Sequence, residues 1–73
     1  MTPKEAKERY GATHFMPMLD GETPQMFYKQ ETIPFSDGTS KTVWVYLSFC
    51  NLWQGSNINF EPKAVQRLIE IKV

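Results

Sequence analysis

From Lys41 to Trp53 the chain reads KTVWVYLSFCNLW, apolar on both sides of any strand it forms. Successive side chains of a strand point to opposite faces. Val43, Val45, Leu47 and Phe49 therefore share one face, and Trp44, Tyr46, Ser48 and Cys50 share the other. The run is rich in the β-branched and aromatic residues that favour strands, so it predicts one long strand and asks what covers its second face. The mixed run before it, QMFYKQETIPF over 25–35, predicts another strand that Pro34 brings to an end. Between the two, Ser36-Asp37-Gly38-Thr39-Ser40 is a loop signal that joins them as an antiparallel hairpin. Further upstream, ATHFMPML over 12–19 predicts a strand containing Pro17. Proline cannot donate to a ladder, so that strand belongs at an edge or carries a bulge. Asp20-Gly21 and Thr23-Pro24 mark the turn that follows.

The ends of the chain read differently. Thr2-Pro3-Lys4-Glu5 has the form of a helix start, with Thr2 as N-cap, Pro3 at the first helical position and Glu5 completing a capping box. Gly11 supplies the left-handed residue that commonly stops a helix, which predicts a first helix over Pro3 to Tyr10. After a break at Gln54-Gly55-Ser56-Asn57, the residues Ile58-Asn59-Phe60 predict a short extended piece. Glu61-Pro62 then opens a second helix, with Ala64, Val65, Leu68 and Ile69 along one face. A terminal strand competes with its last turn, because Ile69, Ile71 and Val73 alternate with Glu70 and Lys72. Pro62 and the spacing of Val65, Leu68 and Ile69 favour the helix. The resulting expectation is one α+β domain over 1–73, a three-stranded antiparallel meander with a helix at each end in the order α-β-β-β-α. The second helix is the natural cover for Val43, Val45, Leu47 and Phe49, since a sheet face must be buried against another element.

Size sharpens the question of the uncovered face. A chain of 73 residues buries only about 60% of the surface its unfolded form exposes, and association often supplies the missing stability. Cys50 is the only cysteine and His14 the only histidine, so an internal disulfide is impossible and a zinc site would lack its usual ligands. The start of the chain, TPKEAKER, lacks the apolar core of a secretory signal, and the 43–53 run is short for a membrane helix. A cytoplasmic protein without membrane contact is expected. Eight basic residues balance eight acidic ones, which removes the general electrostatic attraction to nucleic acid.

Candidate chemistry is sparse. A thiolate nucleophile at Cys50 would need His14 as its base and a third group to orient it, and the sequence offers no such group. Cys50 lies in an apolar run where cysteine behaves as a small hydrophobe. Asp20, Glu22, Glu31 and Asp37 fall in or beside turns, and their spacing is not that of a calcium loop. Asp20-Gly21 and Asp37-Gly38 are isolated turns outside any phosphate-binding motif. No enzyme, metal site or cofactor is expected.

The aromatic set is the informative feature, at 14% of residues. With Val43, Val45 and Leu47 turned to the helices, Trp44 and Tyr46 stand together on the open face of the sheet, with Tyr28 and Met26 of the neighbouring strand beside them. These residue types are enriched in binding hot spots. Trp44, Tyr46, Tyr28 and Met26 are accordingly the expected partner-binding residues. The function expected is that of a small protein-interaction module that binds a protein partner or a second copy of itself as a homodimer. A phage or mobile-element accessory protein that inhibits or modulates a host protein would have this character. The alternative is a single-stranded nucleic-acid module in which Trp44, Tyr46 and Tyr28 stack bases; only Lys29 and Lys41 accompany that platform, so charge disfavours it.

Overall fold

Helix α1 (Pro3–Tyr10) forms where its cap residues place it. In the computed structural model, which describes all 73 residues, the Thr2 hydroxyl oxygen accepts the Glu5 N–H at 3.2 Å and donates to the Glu5 carboxylate. Gly11 takes the left-handed conformation at φ +78°, and its N–H closes the last turn on the Ala6 and Lys7 carbonyls. A side chain there would be strained.

The chain then forms a sheet of five strands, not three. They are β1 (His14–Pro17), β2 (Pro24–Pro34), β3 (Ser40–Leu47), β4 (Trp53–Gly55) and β5 (Ile69–Glu70). Their spatial order is β4-β3-β2-β1-β5 with every neighbouring pair antiparallel. The α+β class and the β2–β3 hairpin match the sequence expectation, and the additional strands come from two identifiable departures.

The first departure is at Ser48. The 41–53 run is not one strand, because Ser48 and Asn51 make a tight turn inside it: Asn51 donates its N–H to the Ser48 carbonyl at 2.9 Å, and Ser48 donates to the Leu52 carbonyl at 2.9 Å. Asn51 adopts φ +61°, a conformation asparagine tolerates better than most side chains. Phe49, expected on the inner face with Leu47, is instead 98% exposed on the turn, and Cys50 beside it is exposed as well. Trp53 returns as β4 opposite Leu47.

The second departure is at the C-terminus. The second helix shrinks to α2 (Pro62–Val65), preceded by a 3-10 helix over Asn57–Phe60 where an extended piece was expected. The alternation of Ile69 and Ile71 wins over helical spacing, and β5 pairs with β1 at His14 and Phe15. Strand β1 is therefore not an edge; Pro17 is accommodated by a register irregularity between Met16 and Pro17, beyond the reach of β5.

These departures change which element covers the sheet. The core consists of Ala6, Ala12, Phe27, Leu47 and Ile71, with Tyr10, Phe15 and Trp53 packed against it. Helix α1, not the second helix, closes the face that bears Phe27 and Leu47, and α2 lies against the 3-10 helix. Small residues at Ala6 and Ala12 let the helix approach the sheet closely. Ile71 donates to the Thr13 carbonyl at 2.9 Å and accepts from Lys7 Nζ at 3.3 Å, tying both ends of the chain together. At the sheet margin Lys29 Nζ lies 4.6 Å above the Trp53 ring, a cation–π contact. Neither helix is long and apolar enough to cross a membrane.

Candidate interaction surface

The second face is set by pairing. Tyr28 stands opposite His14 on one side and Tyr46 on the other, and Trp44 is opposite Gln30, so His14, Tyr28, Trp44 and Tyr46 share the face away from α1. Met26 belongs to it as well, opposite Met16. The four residues expected to bind a partner are thus brought to one face, but the protein itself covers part of it. Tyr28 is only 3% exposed. Its hydroxyl reaches the Met26 sulfur at 3.6 Å, with Ser56, just past β4, close by. Burial raises the Tyr28 pKa, Ser56 opposes that shift, and neighbouring Tyr46 adds to it. A ring so enclosed offers neither a partner nor a nucleic-acid base a face to stack on.

Trp44 and Tyr46 are half-buried. The His14 ring meets Trp44 edge-on, with centroids 5.0 Å apart and planes at 86°, and His14 Nδ1 is 2.8 Å from the Thr13 hydroxyl. The Tyr46 hydroxyl donates to Gln54 Oε1 at 3.0 Å. Asn59 completes the cover in a way the sequence did not advertise. Its side-chain amide accepts the Trp44 N–H at 2.8 Å and donates to the Trp44 carbonyl at 3.0 Å, as a neighbouring peptide group would. A second donation to the Ser56 carbonyl at 2.8 Å holds the amide in place. The 3-10 helix thereby continues the edge that β4 abandons at Gly55. An asparagine in a chain segment separated from its strand by a turn carries no local signal of such a role.

The surface left without cover lies further along β2 and β3. Beyond Tyr28 there is no β1, and before Val45 there is no β4, so the two strands continue alone as a ribbon. Every residue from Gln30 to Thr42 is exposed. The ribbon is held by its ladder, by the Thr32–Thr42 hydroxyl contact at 3.3 Å, and by its tip. There Asp37 accepts from the Thr39 hydroxyl at 2.6 Å and the Thr39 N–H at 2.9 Å, and Gly38 supplies φ +87°. Those bonds, led by the Thr39 hydroxyl, lower the Asp37 pKa. Asp20 is lowered in the same manner by Thr23 and by the Glu22 and Thr23 N–H groups in the β1–β2 turn. On the face continuous with the core, the ribbon carries Val43, Ile33 and Phe35, the last two 43% and 50% exposed. Interleaved with them are Glu31, 3.5 Å from Lys29 Nζ, and Lys41. The sequence signal for this surface is the Ile33-Pro34-Phe35 triplet beside a polar loop, where Pro34 ends the strand and leaves two large apolar side chains next to the turn.

Elsewhere the arrangement offers little for chemistry. His14 is engaged by Thr13 and Trp44, whereas Cys50 stands on the β3–β4 turn. No three His, Cys, Asp or Glu side chains converge as metal ligands would. No protein family, no curated protein and no solved structure matches the chain.

Proposed function

We propose that this chain is a protein-interaction module whose contact element is the β2–β3 ribbon, with Trp44 at its root. It acts by occupying another protein surface, not by transforming a substrate. The observation that supports this reading is the exposure of the whole 30–42 segment together with apolar side chains at Ile33 and Phe35 that no other element covers. An isolated two-stranded ribbon is marginal in water, and apolar side chains on such a ribbon are stabilised by a third layer. Trp44, Tyr46 and Met26 contribute through what remains exposed of the aromatic face, while the buried Tyr28 packs beside them. Balanced charge makes the contact chiefly apolar, and weak salt dependence is the corresponding expectation.

The test is site-specific photo-crosslinking of the full chain in the cells that produce it. A benzophenone side chain at Phe35 is expected to give a discrete adduct heavier than the chain, and the same group at Lys63 on α2 is expected to give none. Absence of an adduct from Phe35, or equal adducts from both positions, would remove the ribbon as the contact element.

A further inference from the structure

We infer that the C-terminal segment is a detachable strap, and that the groove it fills between α1 and β1 takes the same segment from a second copy of the chain when its own strap is out. Neither the strap nor the groove involves the ribbon.

The segment is anchored at one point. From Asn59 to Glu70 no side chain is buried, whereas Ile58 before that stretch and Ile71 after it are 7% and 4% exposed. Ile71 is thus an anchor at the end of a tether. The backbone bonds along the tether are internal to it: Ala64 and Val65 donate to the Glu61 carbonyl, Gln66 to Pro62, Arg67 to Ala64 and Leu68 to Val65. Helix α2 packs against the 3-10 helix that precedes it in the chain. What joins the end of the tether to the body is short. Strand β5 has two residues, Ile69 and Glu70, both exposed. Beyond it, the Ile71 N–H donates to the Thr13 carbonyl at 2.9 Å, and Lys7 Nζ donates to the Ile71 carbonyl at 3.3 Å. A segment with few buried contacts and exposed backbone bonds opens locally, at a lower free energy than the whole domain.

Opening leaves a site of defined chemistry. Ala6, Ala12 and Phe27 are buried around Ile71, so its withdrawal uncovers an apolar slot among them. Beside the slot runs the outer edge of β1. By the alternation of an antiparallel ladder, Phe15 presents its N–H and carbonyl there, and Thr13 presents its carbonyl. Lys7 stands at the rim as a donor to a peptide carbonyl. A row of backbone groups next to an apolar slot takes an extended strand, with the ladder supplying affinity and the slot selecting the side chain. Ile69 beside Phe15 and Ile71 in the slot are the matching pair. The structure itself shows the occupant, because the segment seated in the groove is one that every copy carries. Tethering favours the chain's own strap through an effective concentration on the order of millimolar, so the second copy's segment enters where that strap is weakened.

Amide exchange of the full chain, followed by NMR at low urea concentrations, tests the opening. The Phe15 and Ile71 amides are expected to exchange together, about tenfold or more faster than the Val45 amide in the body of the sheet. Lys7→Ala should speed both without moving Val45. A labelled synthetic peptide of residues 61–73 tests the groove by fluorescence anisotropy. It should bind the Ile71→Ala chain saturably, bind the unsubstituted chain about tenfold or more weakly because the seated strap competes, and lose binding when the peptide itself carries Ile71→Ala. Should the Ile71→Ala chain fail to fold, the Lys7→Ala chain replaces it as acceptor, again with tighter peptide binding than the unsubstituted chain. Exchange of the Ile71 amide at the Val45 rate, with no response to Lys7→Ala, overturns the strap. A strap that opens while the chain takes no peptide, or takes the Ile71→Ala peptide equally well, overturns the site.

Discussion

Phe27 and Ile33 lie on the same face of the same strand, β2, yet Phe27 is buried beneath α1 while Ile33 is 43% exposed. The neighbouring strand repeats the contrast, with Leu47 in the core and Lys41 in water. Nothing in the strand backbone distinguishes the two halves. What differs is the number of layers: at Phe27 the sheet has a helix on one face and a partly covered aromatic face on the other, and at Ile33 it has neither. A single pair of strands thus serves as core in the body and as contact surface in the ribbon. Stability and recognition are separated along its length, and substitutions in the two halves should have effects of different kinds.

The largest expected effect is in the body. Leu47→Ala should destabilise the chain by about 2 to 5 kcal/mol, measured by urea unfolding, because the side chain is buried among Phe27 and the α1 contacts. A loss below about 0.5 kcal/mol, as for a surface site, would erase the distinction between the halves. At the junction, Asn59→Ala should cost about 1 kcal/mol, the net worth of a hydrogen bond, and should speed amide exchange at Trp44. Unchanged exchange at Trp44 would show that the Asn59 amide does not hold that edge.

The pH scale probes the two halves from opposite ends. Burial raises the Tyr28 pKa, so the folded state holds its proton more tightly than the unfolded one. Its contribution is full below the ordinary tyrosine value of about 10 and is lost as pH rises through the raised value. Tyr28→Phe should remove that part of the alkaline loss. Asp37 is lowered, so the contribution of the ribbon tip is full above the ordinary aspartate value of about 3.9 and is lost as pH falls through the lowered one. Asp37→Asn should flatten the acid response of the tip amides, read by NMR, without altering the alkaline limb. Smallest of all, Phe35→Ser should change the stability of the chain by no more than about 0.5 kcal/mol, while acting on the contact that the ribbon makes. A larger loss would mean that the tip packs within its own chain.

What the sequence determined by itself was local. Thr2, Pro3, Glu5 and Gly11 act on backbone groups within one helical turn, so α1 was legible to its boundaries. Asp37 and Gly38 likewise fixed the β2–β3 hairpin, and Pro62 marked the start of α2. The joint presence of Trp44, Tyr46, Tyr28 and Met26 on one face also followed from strand period and pairing. Tertiary structure decided everything that depends on competition between distant segments. Ser48 and Asn51 had the residue types of a turn, but an apolar strand and a turn are both available to 48–52 until β4 finds the edge of β3. Ile69 could close a helix or pair with Phe15, and the exposed edge of β1 made the strand the better outlet for its backbone groups. Cover for the two faces was decided in the same way. Helix α1 could enter against Phe27 because Ala6 and Ala12 are small, and Asn59 became a surrogate strand only where Gly55 carried the chain away from Trp44. Periodicity states which side chains share a face; it does not contain the distances over which a chain of this length can return to bury them.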